Sequence, residues 1–515
     1  MHRRKLPIGI QTFAKIRGDD HYYVDKTGFI RQLIDEGSHY FLSRPRRFGK
    51  SLLLDTLGEL FAGNESLFLG LVIHPEWDWT IRYPVIRLSF GGGVLHERGE
   101  LTRRIIDLLH RNQRALGITC RDTDDIAGCF GDLIELAHAA TGQRVVVLVD
   151  EYDKPILDNL TDPDAARAMR DGLRNLYSVI KDQDAHIRFV FLTGVSKFSK
   201  VSIFSGLNNL RDITVSADYS ALCGYTEQDV DTVFAPELAG LDRDMIRRWY
   251  NGYNWTGEAV YNPFDLLLLF QEREFRTWWF ETGTPTFLVD LLTERGFFTP
   301  TLARLRADEA LLSAFDVDHL GTEALLWQTG YLTFTGSRRI GARLEYTLGY
   351  PNLEVEMALN DSLAKSLIGQ PGRASELASR LYDVLVAGDF AALRAHLDSL
   401  FAGIPYQWYT GNPIAHYEGY YASVFYSHLA ALGLDLTAED ATSLGRIDLT
   451  LKFNDRIWLF EFKVVELEPA GRALQQIKDR GYADKYRAAG QPMHLIGIEF
   501  SREQRALVGL EVETQ

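Results

Sequence analysis

Three stretches in the N-terminal part of the chain have the near-continuous apolar pattern of buried strands. They read HYFLS at 39–43, VVVLV at 145–149 and HIRFVFLTG at 186–194. The first is followed by a turn rich in Pro and Arg and then by an amphipathic helical pattern, SLLLDTLGELF. Apolar runs without alternation are typical of parallel strands that are covered on both faces. The pattern therefore predicts an α/β fold with an N-terminal parallel sheet.

Near the C-terminus, the sequence GRIDLTLKFNDRIWLFEFKV predicts a β-hairpin. Asn454-Asp455 favours positive φ and suits a two-residue turn. Counting outward from that turn places Asp448 directly opposite Glu461. Residues 458–465 are apolar except for two charged positions, which favours a buried strand over a wet edge.

Between roughly 220 and 400, apolar positions recur at helical spacing. Thr226 is placed as the N-cap of a helix. The cluster WYNGYNW at 249–255 suits a core turn better than a platform for stacked bases. A helix after Leu320 precedes two short strands, which predicts a winged-helix-like part. Its tip, either a solvated turn or a contact to DNA, carries three basic residues, Arg338, Arg339 and Arg343.

Gly49-Lys50-Ser51 lies where the first strand passes into its helix, a junction at which backbone N–H groups and the helix dipole favour phosphate. The full P-loop pattern has Gly five residues before Gly49, where this chain has Arg44. We therefore expect Pro45 to make the tight turn. The remaining loop residues that we assign to the nucleotide, ATP, are Arg44, Arg46, Arg47 and Phe48.

The second apolar strand ends in Asp150-Glu151, as a Walker B strand does. Asp150 would hold Mg²⁺ together with the Ser51 hydroxyl, and Glu151 would polarise the attacking water. The third strand ends near Thr193 and Ser196, where P-loop ATPases place a polar sensor of the γ-phosphate. The sequence therefore predicts an ATP and Mg²⁺ site.

The predicted hairpin carries a second candidate chemistry. Like charges opposed on one face of a hairpin are destabilising. Asp448 and Glu461 are therefore candidate ligands of a divalent metal. Lys463 emerges on the same face as Glu461 and is placed to meet an anion bound at that metal. A solvated strand end with a surface ion pair is the alternative.

Twelve residues separate Asp448 from Glu461-Phe462-Lys463, and this spacing resembles the PD-(D/E)XK nuclease signature. The chain as a whole resembles the bacterial AAA-ATPase-like family whose P-loop region is fused to a C-terminal PD-(D/E)XK domain. The segments that carry this resemblance include SRPRRFGKSLLL at 43–54, VLVDEYDKPI at 147–156, LTGVSKFSKVSIFSGLNNL at 192–210 and YPNLEVEMAL at 350–359.

The resemblance implies a C-terminal α/β domain of restriction-endonuclease-like fold. It also assigns Glu418, on the helix before the hairpin, as a further metal ligand. Gln476 and Tyr482, on the helix after the hairpin, would border the site. A helix-start acid for Glu418, and packing or surface roles for the other two, are the alternatives.

Composition predicts two or three domains in a chain of 515 residues. The expected domains are 1–222, 223–400 and 401–515. The three cysteines have no paired spacing, which favours a reducing compartment over a zinc or disulfide framework. The first residues lack the apolar core of a signal peptide, and no apolar run reaches membrane length. We therefore expect a cytoplasmic protein with no membrane segment.

Charge is the observation that argues against a nucleic-acid partner, because the formal net charge is −15. A surface that grips phosphates is expected to be basic. The resemblance nevertheless favours a Mg²⁺-dependent nuclease that is controlled by ATP and acts on DNA rather than RNA. The alternatives are an ATP-dependent switch or scaffold that binds a partner without cleaving it, and an ATPase that acts on protein. A homo-oligomer is left open.

Overall fold

A computed structural model describes residues 3–197, 203, 209–281, 286–295, 297–308, 315–316, 319–368, 371–402, 418–501, 503–504 and 506–515. The chain forms two compact units. The N-terminal unit comprises Met1–Trp279 and Ala307–Thr347, and the C-terminal unit comprises Phe280–Arg306 and Leu348–Gln515. None of the helices in the described ranges has the length and apolar character needed to cross a bilayer.

The N-terminal unit is built on a five-stranded sheet in which every strand pair is parallel. Its strands are β1 (His39–Ser43), β2 (Val85–Ser89), β3 (Val145–Asp150), β4 (Ile187–Gly194) and β5 (Arg211–Asp212). Their order across the sheet is β2-β3-β4-β1-β5. The three strands predicted from apolar runs are β1, β3 and β4, and nearly all of their residues are buried. The predicted parallel sheet is confirmed.

Helices connect and cover these strands, as parallel connections require. The helices of residues 3–281 are Phe13–Gly18, Thr27–Glu36, Lys50–Phe61, Arg98–Leu116, Ile126–Thr141, Lys154–Leu157, Pro163–Asp182, Glu227–Val233, Arg243–Tyr250, Pro263–Glu272 and Trp278–Glu281. The predicted cap at Thr226 is confirmed. Its Oγ accepts from the Asp229 N–H at 3.1 Å, and the Asp229 carboxylate accepts from the Thr226 N–H at 2.8 Å. These two hydrogen bonds form a reciprocal capping box.

The WYNGYNW segment lies in the core of the N-terminal unit, as predicted. Tyr253 and Trp255 are buried, and their rings lie 4.7 Å and 5.6 Å from the ring of Phe48. Tyr253 and Trp255 therefore pack against the loop after β1, and neither ring presents an open stacking surface.

A helix followed by a hairpin is also found where the sequence predicts it. The helix is Thr322–Thr329. The other short strands of this region are β6 (Leu305–Asp308), β7 (Phe315–Asp316), β8 (His319–Leu320), β9 (Thr333–Ile340) and β10 (Arg343–Gly349). Strands β6, β10 and β9 form one sheet, and β7 pairs with β8. At the hairpin tip, Arg338 forms an exposed ion pair with Glu345 at 2.6 Å.

The C-terminal unit contains a five-stranded mixed sheet in sequential order, β11-β12-β13-β14-β15. The strands are β11 (Asp435–Ala441), β12 (Arg446–Phe453), β13 (Arg456–Val464), β14 (Met493–Ser501) and β15 (Ala506–Thr514). Only the β13–β14 pair is parallel, and helix Arg472–Asp479 forms its crossover. The remaining helices are Thr286–Glu294, Leu353–Ile368, Pro371–Ala387, Phe390–Ala402 and Glu418–Ala430. The predicted C-terminal α/β fold is confirmed.

The expectation that the cysteines are unpaired is wrong for two of the three. Cys120 and Cys129 form a disulfide across a Cα–Cα distance of 5.1 Å. Cys120 follows helix Arg98–Leu116, and Cys129 lies in the first turn of helix Ile126–Thr141. The reversal between these two helices brings the cysteines together, and their sequence spacing alone does not indicate it. Cys223 is a buried free thiol.

Two histidines meet inside the helical layer of the C-terminal unit. The rings of His396 and His428 are buried and stacked, and their Nε2 atoms lie 3.1 Å apart. Burial lowers the pKa of His396 to about 4 and that of His428 to about 3. Both rings are therefore neutral in the folded protein near pH 7.

Acidification is expected to destabilise the fold through this pair. An unfolded histidine has a pKa near 6.5, so below that pH the unfolded chain binds more protons than the folded one. The contribution of the two neutral rings to the unfolding free energy is therefore complete above about pH 6.5. It declines as the pH falls from there toward the pKa values of the two histidines in the folded protein. Between pH 7 and 5 the unfolding free energy, measured in urea, should fall by at least about 2 kcal/mol more in wild type than in a His396→Leu/His428→Leu double variant. Equal losses in the two proteins would contradict this assignment.

Candidate functional site

The loop that joins β1 to helix Lys50–Phe61 turns at Arg46 and Arg47, directly after Pro45. Arg47 and Gly49 adopt left-handed conformations, with φ of 70° and 89°. Gly49 immediately precedes the helix, whose first N–H groups are free of intrahelical partners by geometry. This local structure suits a phosphate group at the helix N-terminus.

Arg44 is not available to a nucleotide, which corrects the sequence-based expectation. Its guanidinium is fully buried and donates to the carbonyls of Ser43, Thr214 and Tyr219 at 2.8–3.0 Å. Its Cζ also lies 3.9 Å above the Trp255 ring. Burial lowers the pKa of Arg44 to about 10, so the group stays charged at neutral pH. Arg44 therefore ties the base of the loop to the sheet edge.

Lys50 is buried beneath the same loop. Its Nζ donates to the carbonyl oxygens of Arg44 at 2.8 Å and Pro45 at 2.9 Å. Burial lowers the pKa of the Lys50 ammonium, while the negative charge of Asp150 opposes that shift. The ammonium thus lies between the loop carbonyls and the acidic end of β3, and Ser51 is half-buried beside it.

The predicted acid pair lies at the carboxyl end of β3. The Thr193 hydroxyl, from the neighbouring strand β4, donates to Asp150 at 2.8 Å. Glu151 has a φ of 50°, so its backbone turns away as the strand ends. Burial and the adjacent Asp150 raise the pKa of the Glu151 carboxyl. The structure therefore brings Lys50, Asp150, Glu151 and Thr193 together.

Ser196 is held by a residue that the sequence reasoning missed. The buried Asp153 carboxylate accepts from the Ser196 N–H at 2.6 Å, the Ser196 hydroxyl at 2.5 Å and the Val195 N–H at 3.0 Å. Asp153 follows Asp150 by three residues in VLVDEYDKPI, and a second acid so close to a strand end was the available signal. Asp153 fixes the backbone that follows β4.

The other residues of the loop after β1 differ in their exposure to solvent. The Arg46 and Arg47 side chains are exposed, and Arg47 Cζ lies 4.5 Å above the Phe264 ring. The Phe48 side chain is buried against the WYNGYNW segment, so only its backbone faces the loop. Trp279 Nε1 donates to the Arg46 carbonyl at 3.1 Å.

The QTGYLTF segment at 328–334 also contacts the loop after β1 and the backbone after β4, which the sequence did not indicate. A Cβ at Gly330 would lie 2.6 Å from Pro45 Cγ, so only glycine fits there. The Gln328 side-chain carbonyl accepts from the Lys197 N–H at 2.8 Å. Trp279 and Gly330 therefore contact the P-loop, and Gln328 contacts the segment after β4.

In the C-terminal unit, the predicted hairpin register is confirmed. Asn454 and Asp455 have φ of 54° and 55°, and the pairing runs from Phe453↔Arg456 to Leu449↔Phe460. Continuing this register by one residue on each strand places Asp448 opposite Glu461. The Asp448 carboxylate accepts from the Phe462 N–H at 2.8 Å, so it also completes the pairing of the two strands.

Glu461 is fully buried and already has a cation beside it. Lys463 Nζ lies 3.1 Å from Glu461 Oε1, and the Gln476 amide donates to the same oxygen. Burial, followed by the negative charges of Glu461 and Asp448, raises the pKa of the Tyr482 phenol. Both carboxylates therefore act on the same hydroxyl group. The structure brings Asp448, Glu461, Lys463, Gln476 and Tyr482 together.

Two carboxylates on adjacent strands are donors that suit Mg²⁺. The third expected ligand, Glu418, begins helix Glu418–Ala430, but its side chain lies outside the described residues. Within the described part of the chain, no three His, Cys, Asp or Glu side chains are grouped to hold a metal. The donor chemistry fits a divalent ion, and such an ion would compete with Lys463 for Glu461.

The N-terminal site has the elements of a P-loop, and the C-terminal site has those of the PD-(D/E)XK signature. Residues 7–204 match the family described as "Predicted AAA-ATPase", and residues 416–509 match the PD-(D/E)XK nuclease superfamily. The curated "Uncharacterized protein in vnfD 5'region" of Azotobacter chroococcum mcd 1 is 67% identical over 515 residues, which is 100% of both chains. No solved structure matches. The chain belongs to the AAA-ATPase-like family that carries a C-terminal PD-(D/E)XK domain.

The hydrogen bond from the Phe462 N–H to Asp448 determines how substitution of Asp448 is expected to change the stability of the fold. Relief of repulsion alone would leave stability unchanged or raise it, but Asp448→Ala also leaves a buried N–H without its acceptor. We expect the unfolding free energy, measured in urea without divalent metal, to fall by about 1–3 kcal/mol. Asp448→Asn retains an acceptor oxygen and should lose less, and Asp435→Ala on exposed β11 is the control. A more stable Asp448→Ala protein would show that repulsion dominates.

Proposed function

We propose that this protein binds and hydrolyses ATP, and that its nucleotide state controls a Mg²⁺-dependent nuclease in the C-terminal unit. The proposed substrate is nucleic acid, DNA rather than RNA. The observation that carries the ATPase part is the meeting of Lys50, Asp150, Glu151 and Thr193 at the carboxyl ends of β1, β3 and β4. Ligands of open parallel sheets bind at that edge.

In this proposal each residue of the nucleotide site has a separate task. Lys50 exchanges the carbonyls of Arg44 and Pro45 for phosphate oxygens, and the helix N-terminus adds N–H donors. Ser51 and Asp150 would hold Mg²⁺, which when bound supplies positive charge to the β- and γ-phosphates. Glu151, whose pKa is raised, orients and deprotonates water. Thr193 positions Asp150, and Ser196 is the second polar group after β4.

The nuclease part rests on the carboxylate pair and its lysine. Asp448 and Glu461 would hold a divalent metal, which when bound activates water and stabilises the charge of the phosphodiester transition state. Lys463 then shifts from Glu461 to the reacting phosphate. Gln476 keeps Glu461 in place from the following helix, and the Tyr482 hydroxyl just beyond that helix is hydrogen-bonded to Gln476.

The nucleotide assignment predicts two different defects. Lys50→Ala removes the charge that meets the phosphates, so ATP affinity measured by calorimetry should fall at least about tenfold. Glu151→Gln should still bind ATP, but phosphate release should fall by at least about 100-fold. Lys15→Ala, an exposed lysine in the same unit, is the matched control. Equal ATP affinity in wild type and Lys50→Ala would remove the P-loop assignment.

The nuclease assignment predicts that Lys463→Met lowers Mg²⁺-dependent cleavage of DNA by about 100-fold or more, because a donor to the developing charge is lost. Glu461→Gln should abolish cleavage while it keeps the side-chain shape. ATP hydrolysis should be unchanged in both variants, which shows that the rest of the chain is folded. Full cleavage by Lys463→Met would contradict the assigned role.

A scaffold is the second candidate, because three basic side chains that follow the hairpin in sequence are engaged with acids or carbonyls of the protein. Lys478 pairs with Glu513, Lys485 pairs with Asp440, and Arg480 donates to the Leu444 carbonyl at 2.9 Å. Phosphate contacts give a log–log salt slope of about −0.9 each on duplex DNA. With Ca²⁺ in place of Mg²⁺, salt-insensitive or absent binding would favour the scaffold.

A further inference from the structure

The loop that follows β2 lies beside the acid pair of the nucleotide site. It consists of three consecutive glycines at 91–93, which come directly after the buried Phe90. Strands β2 and β3 are neighbours, and their last residues are paired. The Phe90 N–H donates to the Asp150 carbonyl at 3.1 Å, so the loop begins next to Glu151. The tasks assigned to the nucleotide site do not yet involve this loop.

The first of these glycines, Gly91, is in contact with the Glu151 carboxylate. A Cβ added at Gly91 would lie 2.9 Å from Glu151 Oε2 and 3.3 Å from Glu151 Cδ, and the first of these distances is too short for such a contact. The carboxylate therefore lies against backbone that bears no side chain. Among the residues that the structure describes, no hydrogen bond holds this carboxylate. Packing against Gly91 thus limits how far it can turn toward β2.

The conformation of the loop does not by itself require glycine at position 91. Gly93 has a φ of 77°, a left-handed conformation that favours glycine. Gly91 does not have a positive φ, so its φ places no such demand on the residue type. The Glu151 carboxylate, rather than the turn of the chain, is therefore what excludes a side chain at position 91.

Two cationic side chains hold this loop in place. The Arg104 guanidinium, from helix Arg98–Leu116, donates to the Gly92 carbonyl. Lys154 Nζ, from the short helix after Glu151, donates to the Gly93 carbonyl at 2.7 Å. Hydrogen bonds from charged donors are stronger than those between neutral groups. The backbone beside the Glu151 carboxylate is therefore fixed from both sides of the loop.

We propose that Gly91 is a positioning residue of the ATPase site, whose bare backbone holds the Glu151 carboxylate where it deprotonates the attacking water. The inference rests on the proposed ATP hydrolysis. A general base is effective only within hydrogen-bond reach of the proton that it removes. A side chain at position 91 would push the carboxylate away from this place. Lys50 and the helix N-terminus, which meet the phosphates, would be unaffected.

The test compares Gly91→Ala with wild type in the full-length protein. The kcat of ATP hydrolysis should fall about tenfold or more, because a misplacement of about 1 Å costs up to about 100-fold. ATP affinity, measured by calorimetry, should change by less than about twofold, since the lost interaction is made only in the transition state. Gly99→Ala is the matched control, because an added Cβ there has no atom within 4 Å. It should hydrolyse ATP as wild type does.

A double variant separates positioning of Glu151 from general damage to the fold, which is also checked by thermal melts. In the Glu151→Gln background, Gly91→Ala should cause no further loss of single-turnover hydrolysis, because the base that it displaces is already absent. An equal loss in both backgrounds, or an ATP affinity that falls as much as kcat, overturns the proposal.

The same measurements distinguish failure of this inference from failure of the proposed ATPase. Wild-type turnover in Gly91→Ala, together with slow turnover in Glu151→Gln, removes the role of Gly91 alone. If the wild-type protein hydrolyses no ATP, or if Glu151→Gln hydrolyses it at the wild-type rate, the proposed ATPase mechanism fails and the role of Gly91 fails with it.

Discussion

A charged group taken out of water must meet opposite charge or several hydrogen bonds, and both sites are arranged around this constraint. In the N-terminal unit, the buried Arg44 and Lys50 donate to five backbone carbonyls. In the C-terminal unit, Lys463 meets Glu461. These buried charges therefore hold the loop after β1 and the end of β13 in position. The candidate catalytic residues lie at these two positions.

This constraint connects the nucleotide site to more distant residues. The carbonyls that accept from Lys50 belong to a loop that is also held by Trp279 and packed against Gly330. The backbone after β4 is held by Asp153 on one side and by Gln328 on the other. Movement of Lys50 toward a phosphate would release two of these carbonyls. Trp279, Gln328 and Gly330 are thus in direct contact with the loop and the segment that would meet a bound nucleotide.

Features that depend on local pattern could be predicted from the sequence. The apolar runs identify β1, β3 and β4, and the Asn454-Asp455 turn fixes the register that opposes Asp448 to Glu461. These predictions succeed because strand burial and turn conformation depend on neighbouring residues. The PD-(D/E)XK spacing likewise follows from the register.

Features that depend on contacts between distant segments could not be predicted. Asp153 reaches Ser196 across more than forty residues, and Gln328 reaches Lys197 across more than a hundred. The Cys120–Cys129 disulfide depends on the reversal between two helices. The hydrogen bond from the Phe462 N–H to Asp448 also could not be predicted, because a one-dimensional pattern shows the charge of the carboxylate and does not show the backbone donor that it accepts from.

Arg44 has a consequence for protein engineering. It stands where the usual P-loop has its first glycine, and three carbonyls from separate parts of the unit converge on its guanidinium. Consensus-guided design would treat this position as a defect and restore glycine. That change would leave a hole beneath the loop and remove a donor from each of three buried carbonyls, of which that of Tyr219 keeps the Leu222 N–H. In this chain, a match to the glycine pattern is therefore a poor guide to the stability of the phosphate loop, because the Arg44 side chain anchors the base of the loop.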